Sequence, residues 1–249
     1  MTTRLVLVFL GLLFCSPAFA ASGGVKLMHA NTKLSDRTSL QRGARTFVNY
    51  CLGCHAATYM RYNRVGADLG ISEDVLKQNL MFGTDKTGET MTVAMRKTDA
   101  ELYFGGAVPP DLSVTARSRG VDWLYTYFMT FYRDPARPFG VNNLAFKDVG
   151  MPHVLWELQG WQRPVYEDLK HADGSVSKKI THLELETAGS QSPEEFARTV
   201  RDLVNFMDYL GEPVKLQRHK IGFWVIFYLL LVLLPVVYLL KKEYWKDVH

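Results

Sequence analysis

Apolar residues form two unbroken runs near the ends of this chain, with spaced, helical periods between them. The first run, Leu5 to Phe14, follows Arg4 and gives way to Ser16-Pro17-Ala18-Phe19-Ala20. A basic start, a short apolar stretch and an Ala-x-Ala ending make an export signal, expected to occupy residues 1–20. Ten apolar residues are too few to span a bilayer comfortably. The second run, Ile221 to Leu240, has no charged residue. As a helix it would be ~30 Å long, the thickness of a bilayer core. Arg218, His219 and Lys220 flank one end, and Lys241, Lys242 and Lys246 the other. Trp224, Tyr238, Tyr244 and Trp245 fall where interfacial aromatics belong. Pro235 is tolerable there, because neighbouring groups satisfy the carbonyl it frees. The expected organisation is a cleaved signal (1–20), an exported domain (21–217), an anchor helix (218–241) and a cytoplasmic tail (242–249).

Between the runs, the periodicity is mainly helical. Leu40, Gly43/Ala44 and Phe47 recur at helical spacing up to Cys51, with Ser39 as the expected cap. Ser192, Pro193 and Glu195 form a capping box with proline at the first helical position. Phe196, Val200, Leu203, Met207 and Leu210 continue that helix, and Gly211 with Pro213 ends it. These two helices are expected to cross at Gly43, with Phe206 or Tyr209 packing there. Further helices are expected over 72–82 and 121–132, the second crowded with aromatic residues. From Arg133 to Pro152 the proline, glycine and asparagine content predicts a long ordered loop. Residues 165–170 and 176–186 predict a hairpin turning at Asp173-Gly174. The fold class is thus mainly α, with long loops, a small hairpin and one C-terminal transmembrane helix.

The formal charge of +4 is concentrated near the membrane-directed segments. From Ala21 to Arg218 there are 24 Lys+Arg against 23 Asp+Glu, so the exported domain is nearly neutral. No basic run suggests nucleic acid, and the exported location argues against it. Lys241, Lys242 and Lys246 fit a cytoplasmic C-terminus. The location implied is a bacterial inner membrane, crossed once, with the folded domain in the periplasm.

The chain has three cysteines. Cys15 lies in the signal, behind a Phe14 too bulky for a lipoprotein site, so Cys51 and Cys54 are left without other thiols. A four-thiolate zinc site is thereby excluded. A thioredoxin-like pair would lie near a βαβ pattern, and none is evident. Cys51-Leu52-Gly53-Cys54-His55 is instead a C-x-x-C-H, the attachment sequence for a c-type haem. Two thiols three residues apart can add to the two vinyl groups of one porphyrin, and His55 then serves as an axial iron ligand.

The ligand on the other iron face decides between electron carriage and gas handling. A thioether sulfur favours ferrous iron and raises the potential relative to two histidines. Candidates in the exported domain are Met28, Met60, Met81, Met91, Met95, Met129, Met151 and Met207, together with His29, His153, His171, His182 and His219. Spacing alone selects none. Context favours Met151, between Gly150 and Pro152 in the irregular loop, with His153 as its rival and an open iron face as the third case.

Arg42-Gly43, the C-x-x-C-H, Pro109-Pro110-Asp111-Leu112-Ser113, Gly150-Met151-Pro152 and a terminal span with Leu234-Pro235 and a trailing Lys-x-x-x-Trp resemble the cytochrome c1 family, in order and over nearly the whole exported chain. That family supplies the haem subunit of the cytochrome bc1 complex. The resemblance implies one covalent haem c, thioether bonds at Cys51 and Cys54, and axial ligation by His55 and Met151. It also implies that Pro109 and Pro110 lie against the haem, with Arg119, in preference to Arg117, near a propionate. A planar guanidinium suits a carboxylate. The implied partners are cytochrome b, a Rieske iron–sulfur protein that donates the electron, a soluble cytochrome c that accepts it, and membrane lipid. The complex is usually dimeric. The chain would not be catalytic alone, but a redox subunit of ubiquinol–cytochrome c oxidoreductase. A free-standing, membrane-anchored cytochrome c, acting as shuttle or haem sensor, is the alternative.

Overall fold

A computed structural model describes residues 25–93, 95–170 and 175–246. The expected signal segment and the Asp173-Gly174 turn lie outside the described residues. The elements, in order, are α1 (Arg37–Tyr50), β1 (Ala57–Arg61), α2 (Tyr62–Leu69), α3 (Glu73–Leu80), β2 (Thr90–Met91), α4 (Lys97–Tyr103), α5 (Thr115–Arg119) and α6 (Val121–Met129). There follow β3 (Phe131–Arg133), β4 (Val141–Asn143), α7 (Trp156–Gln159), β5 (Gly160–Lys170), β6 (Val176–Ala188) and α8 (Pro193–Gly211). A last helix, α9, runs from Lys215 to Tyr244. The fold is mostly helical, with three two-stranded antiparallel ribbons among the described residues.

Helix α8 is the hub, packed by α1, α5, α6 and α7. Its start follows from local chemistry. The Ser192 hydroxyl accepts the Glu195 N–H at 3.3 Å, and the Glu195 carboxylate accepts the Ser192 N–H at 2.9 Å. Its crossing with α1 is set by Gly43: a Cβ there would lie 2.1 Å from the Asp202 carbonyl oxygen and 2.7 Å from Phe206 Cβ. Phe47 and Phe206 meet beside this contact with ring centroids 5.6 Å apart. Arg42 Nε reaches the Asp202 carboxylate at 2.6 Å, adding an ion pair to the same crossing.

The expected Ser39 cap is corrected. Asp36 caps α1 by accepting the Ser39 N–H at 3.0 Å, so the helix begins earlier. Ser39 is then buried inside the helix, where its hydroxyl accepts Asn205 Nδ2 of α8 at 3.0 Å. A carboxylate at that end also suits the positive pole of the helix dipole.

The aromatic helix expected over 121–132 stops at Met129. Asn143 Nδ2 donates to the Tyr127 carbonyl at 2.7 Å, and Thr130 Oγ1 to the Thr126 carbonyl at 2.7 Å. Side chains thus take the carbonyls that a longer helix would have used. Phe131 to Arg133 instead pair with Val141 to Asn143. The remainder of the 133–152 segment is stitched by side chains. The Asn142 amide oxygen accepts the Asp148 N–H at 2.8 Å, and Arg137 binds the Asp148 carbonyl at 3.0 Å and its carboxylate at 3.2 Å. Asp148 itself sits at a left-handed φ of 60°. That bend delivers Val149, Gly150 and Met151 to the site.

The hairpin is longer than the sequence pattern suggests, because β5 begins at Gly160. Gln162 Nε2 fixes its base by donating to the Met129 and Phe131 carbonyls at 3.0 and 2.8 Å.

Helix α9 has 30 residues; its most apolar 18-residue stretch has mean hydropathy 2.7, and none of that stretch is buried by the other described residues. At ~1.5 Å per residue the helix is ~45 Å long, enough to cross the hydrocarbon core and both interfaces. Widened turns over Leu229–Leu233 precede Pro235, which has no N–H to give. Lys215 pairs with Asp208 at 3.0 Å and Arg218 with Glu212, tying the exit of α9 to the end of α8.

Candidate functional site

The end of α1 gathers the C-x-x-C-H. The Cys51 N–H still donates to the Phe47 carbonyl at 2.9 Å. The Cys51 carbonyl then receives the N–H groups of both Cys54 (3.1 Å) and His55 (2.9 Å). This tight turn groups the two cysteines and the histidine at one helix end. Both thiols are free of disulfides. Burial pushes the Cys51 thiol up to about 12, and burial also raises Cys54. A dithiol redox pair needs a lowered thiol pKa, so this environment opposes a thioredoxin-like role.

His55 is oriented from a segment remote in sequence. Its Nδ1 lies 2.7 Å from the Pro110 carbonyl oxygen. A carbonyl can only accept, so Nδ1 carries the proton and Nε2 keeps its lone pair for a metal. Burial holds the imidazole pKa below its ordinary value, which favours that neutral form.

The Pro109–Ser113 motif is the clip that brings Pro110 there. The Asp111 carboxylate accepts the Thr58 N–H at 3.0 Å, the Thr58 hydroxyl at 2.7 Å and the Ser113 N–H at 2.7 Å. The Leu112 N–H donates to the Ala56 carbonyl at 2.8 Å, and Tyr59 N–H to the Ser113 hydroxyl at 3.1 Å. Residues 109–113 are therefore laced to the residues that immediately follow His55.

A cavity of about 350 Å³ opens beside this clip. Cys51, Cys54, His55, Pro109, Pro110, Arg119 and Met151 all line it. The structure thus brings together every site residue expected from the sequence. Trp123, Leu124, Tyr127 and Phe128 of α6 line the same cavity, as do Phe104 and Phe146 from flanking segments. In the sequence the α6 aromatics are a crowded helix that could wall a porphyrin, with core packing the default for each residue.

Two of the candidate methionines line the cavity, Met151 from the loop and Met207 from the buried face of α8. Met207 is 1 % exposed within the main apolar cluster. The Met151 sulfur is partly buried and accepts the Tyr127 hydroxyl at 3.3 Å. His153 is turned away from the cavity. Its ring stacks on Phe131 at 4.9 Å and 4°, and meets the Trp161 edge at 5.9 Å. Burial drives its pKa down to about 4, so it is a neutral core histidine at neutral pH.

Arg119 and Arg117 separate clearly. Arg119 lines the cavity with its guanidinium 5.1 Å from the Trp123 ring centroid. Arg117 packs its stem against Gly211, where an added Cβ would meet its Cγ at 3.1 Å. Arg119 therefore holds a cation at an otherwise apolar wall, where a carboxylate-bearing cofactor would need one.

The donor set suits a haem better than a bare ion. Among the described residues no three His, Cys, Asp or Glu side chains converge to hold a metal. One imidazole nitrogen and one thioether sulfur are too few for a protein-only site. They suffice where a planar macrocycle supplies the remaining donors. An apolar, aromatic-walled slot with two cysteines at its edge fits that macrocycle.

Comparison with known proteins agrees with this geometry. Residues 28–248 match the profile of the Cytochrome C1 family. A cytochrome c1 from Allochromatium vinosum is 49% identical over 99% of both chains. A protein from Nitrosomonas europaea named ammonia monooxygenase gamma subunit is 47% identical, over 99% of this chain and all of that one. A cytochrome b/c1 from Bradyrhizobium diazoefficiens is 25% identical over 86% of this chain and 34% of its own length. The chain therefore belongs to the cytochrome c1 family of electron carriers, and membership implies a c-type haem.

Proposed function

We propose that this chain is the cytochrome c1 subunit of a cytochrome bc1 complex. In this reading Cys51 and Cys54 would hold one haem through thioether bonds. His55 and Met151 would be its iron ligands, and Arg119 would pair with a propionate. A haem held there supplies a one-electron ferric/ferrous couple. The protein's own contribution is positional. Pro110 fixes the His55 tautomer, the loop anchored at Asp148 presents Met151, and the α6 aromatics keep water from the iron. The chain then takes electrons from a Rieske iron–sulfur protein and delivers them to a soluble cytochrome c.

The observation that carries this reading is the single cavity lined by the attachment cysteines, one histidine, one loop methionine and one arginine. The organisation that accompanies it is a cleaved signal at 1–20, a periplasmic haem domain at 21–217, an anchor at 218–241 and a cytoplasmic tail at 242–249. The b/c1 relative, named for both cytochromes, supports cytochrome b as a neighbour. A second reading also has support, since the Nitrosomonas relative matches end to end and is named for ammonia monooxygenase. There the same carrier would serve a different membrane assembly.

Affinity isolation of the full chain from detergent-solubilised membranes, with haem staining and identification of associated subunits, separates the two. A b-type cytochrome and a Rieske protein are expected. Ammonia monooxygenase subunits in their place would favour the second reading, and a haem-stained chain isolated alone would overturn both in favour of a free-standing carrier.

A further inference from the structure

The Tyr127 hydroxyl donates to the Met151 sulfur at 3.3 Å, and nothing in the attachment motif requires that contact. Tyr127 is 8 % exposed and firmly held. Its ring stacks on Trp123 at 5.1 Å and 13°, while Phe128 and Phe131 meet its edges or faces at 5.5 and 5.0 Å. Its backbone is pinned as well, because its carbonyl accepts Asn143 Nδ2 at 2.7 Å. Asn143 belongs to the same stitched segment that ends at Met151. The phenol and the thioether are therefore fixed to each other by a ring stack on one side and by the loop on the other.

A thioether sulfur has two lone pairs. A phenol that engages one leaves the other free, and fixes the direction in which it points. The O–H also draws electron density from sulfur, making it a poorer donor to a cation. That penalty grows with the charge on the cation, so it weighs more on ferric than on ferrous iron.

We infer that Tyr127 is a positioning residue for Met151, orienting its sulfur and raising the reduction potential of the site. This rests on the reading of Met151 as an axial ligand. It assigns to α6 a function beyond walling the cavity.

The test uses the haem-loaded full chain in detergent, comparing wild type with Tyr127→Phe, which keeps the ring and its stack and deletes only the O–H. Three quantities are read: the midpoint potential, the sulfur-to-iron charge-transfer band of the ferric form, and the imidazole concentration that displaces the sulfur. The variant is expected to keep the band, to have a lower potential, and to need an up to roughly fivefold higher imidazole concentration for exchange, because the sulfur freed of the O–H is the better donor to ferric iron and one ordinary hydrogen bond is worth about that factor. Site-specific fluorotyrosine at 127 preserves the shape and strengthens the donor, so it is expected to shift the potential upward. An unchanged potential and unchanged exchange in both variants, with the band intact, would overturn the role of Tyr127 alone. If the wild-type band is absent, or survives Met151→Leu, the ligand reading fails and the inference falls with it.

Discussion

His55 Nδ1 lies 2.7 Å from the carbonyl oxygen of Pro110, so the orientation of the attachment histidine is set 55 positions further along the chain. The contact explains why the Pro109–Ser113 motif accompanies the C-x-x-C-H. A histidine next to two cysteines needs an external acceptor to hold its tautomer. Pro110 supplies that acceptor, and Asp111 secures it by binding Thr58 just beyond the motif.

Asp111→Ala is expected to loosen this clip. It leaves the buried Ser113 N–H without its acceptor, at a cost of about 1–3 kcal/mol, while the exposed Thr58 groups turn to water. Thermal unfolding followed by circular dichroism should show Tm lowered by several degrees. A melting curve superimposable on wild type would refute the clip.

The same carboxylate makes the domain sensitive to acid. Burial pushes the Asp111 pKa up, but hydrogen bonds from Ser113 and Thr58 outweigh it and hold the pKa below its ordinary value. A lowered folded-state pKa gives stability that is present above the unfolded value, ~3.9, and is lost as pH falls through the folded one. The Tm difference between wild type and Asp111→Asn should therefore be full at about pH 6 and shrink below about pH 4. A difference that persists unchanged into strong acid would assign the effect to something other than this ionisation.

Gly43→Ala tests the α1–α8 crossing. The new methyl would meet a backbone carbonyl, which cannot swing aside as a side chain would. Separating the helices should cost at least about 1–3 kcal/mol, read as reduced Tm and weakened near-ultraviolet dichroism. Wild-type stability in this variant would mean that the helices do not cross at Gly43.

Much of the scaffold could be read in the sequence because its signals are local. Ser192, Pro193 and Glu195 are within four positions of one another, and they cap α8 as their spacing implies. Ser39 misled because Asp36, three residues earlier, offers a charged cap to the same helix. Phe131 and Tyr132 continue an aromatic helical pattern, yet pair with Asn143 and Asn142, a choice made by non-local partners. The site divides in the same way. The C-x-x-C-H is legible by itself. Loop context already favoured Met151 over His153, and the fold adds that Met151 lines the cavity while His153 stacks on Phe131 and does not. Tyr127 was hidden among its aromatic neighbours, since its hydroxyl finds sulfur 24 positions away.

Termination after Val214 tests the anchor. It removes all of α9, including the apolar stretch that no other described residue covers. The shortened protein should leave the membrane fraction under alkaline carbonate, while the full chain remains. It should also be less stable, because Asp208, with a side chain 9% exposed, loses Lys215. Retention of the shortened chain in carbonate-washed membranes would place the anchor elsewhere.

Carbon monoxide binding to the reduced, haem-loaded protein tests the central claim most directly. It is measured in wild type, Met151→Leu, Met207→Leu and His153→Phe. A covalent haem held between His55 and Met151 predicts that wild type, Met207→Leu and His153→Phe exclude carbon monoxide, and that Met151→Leu binds it. Binding gained with Met207→Leu or His153→Phe, and not with Met151→Leu, would contradict the account.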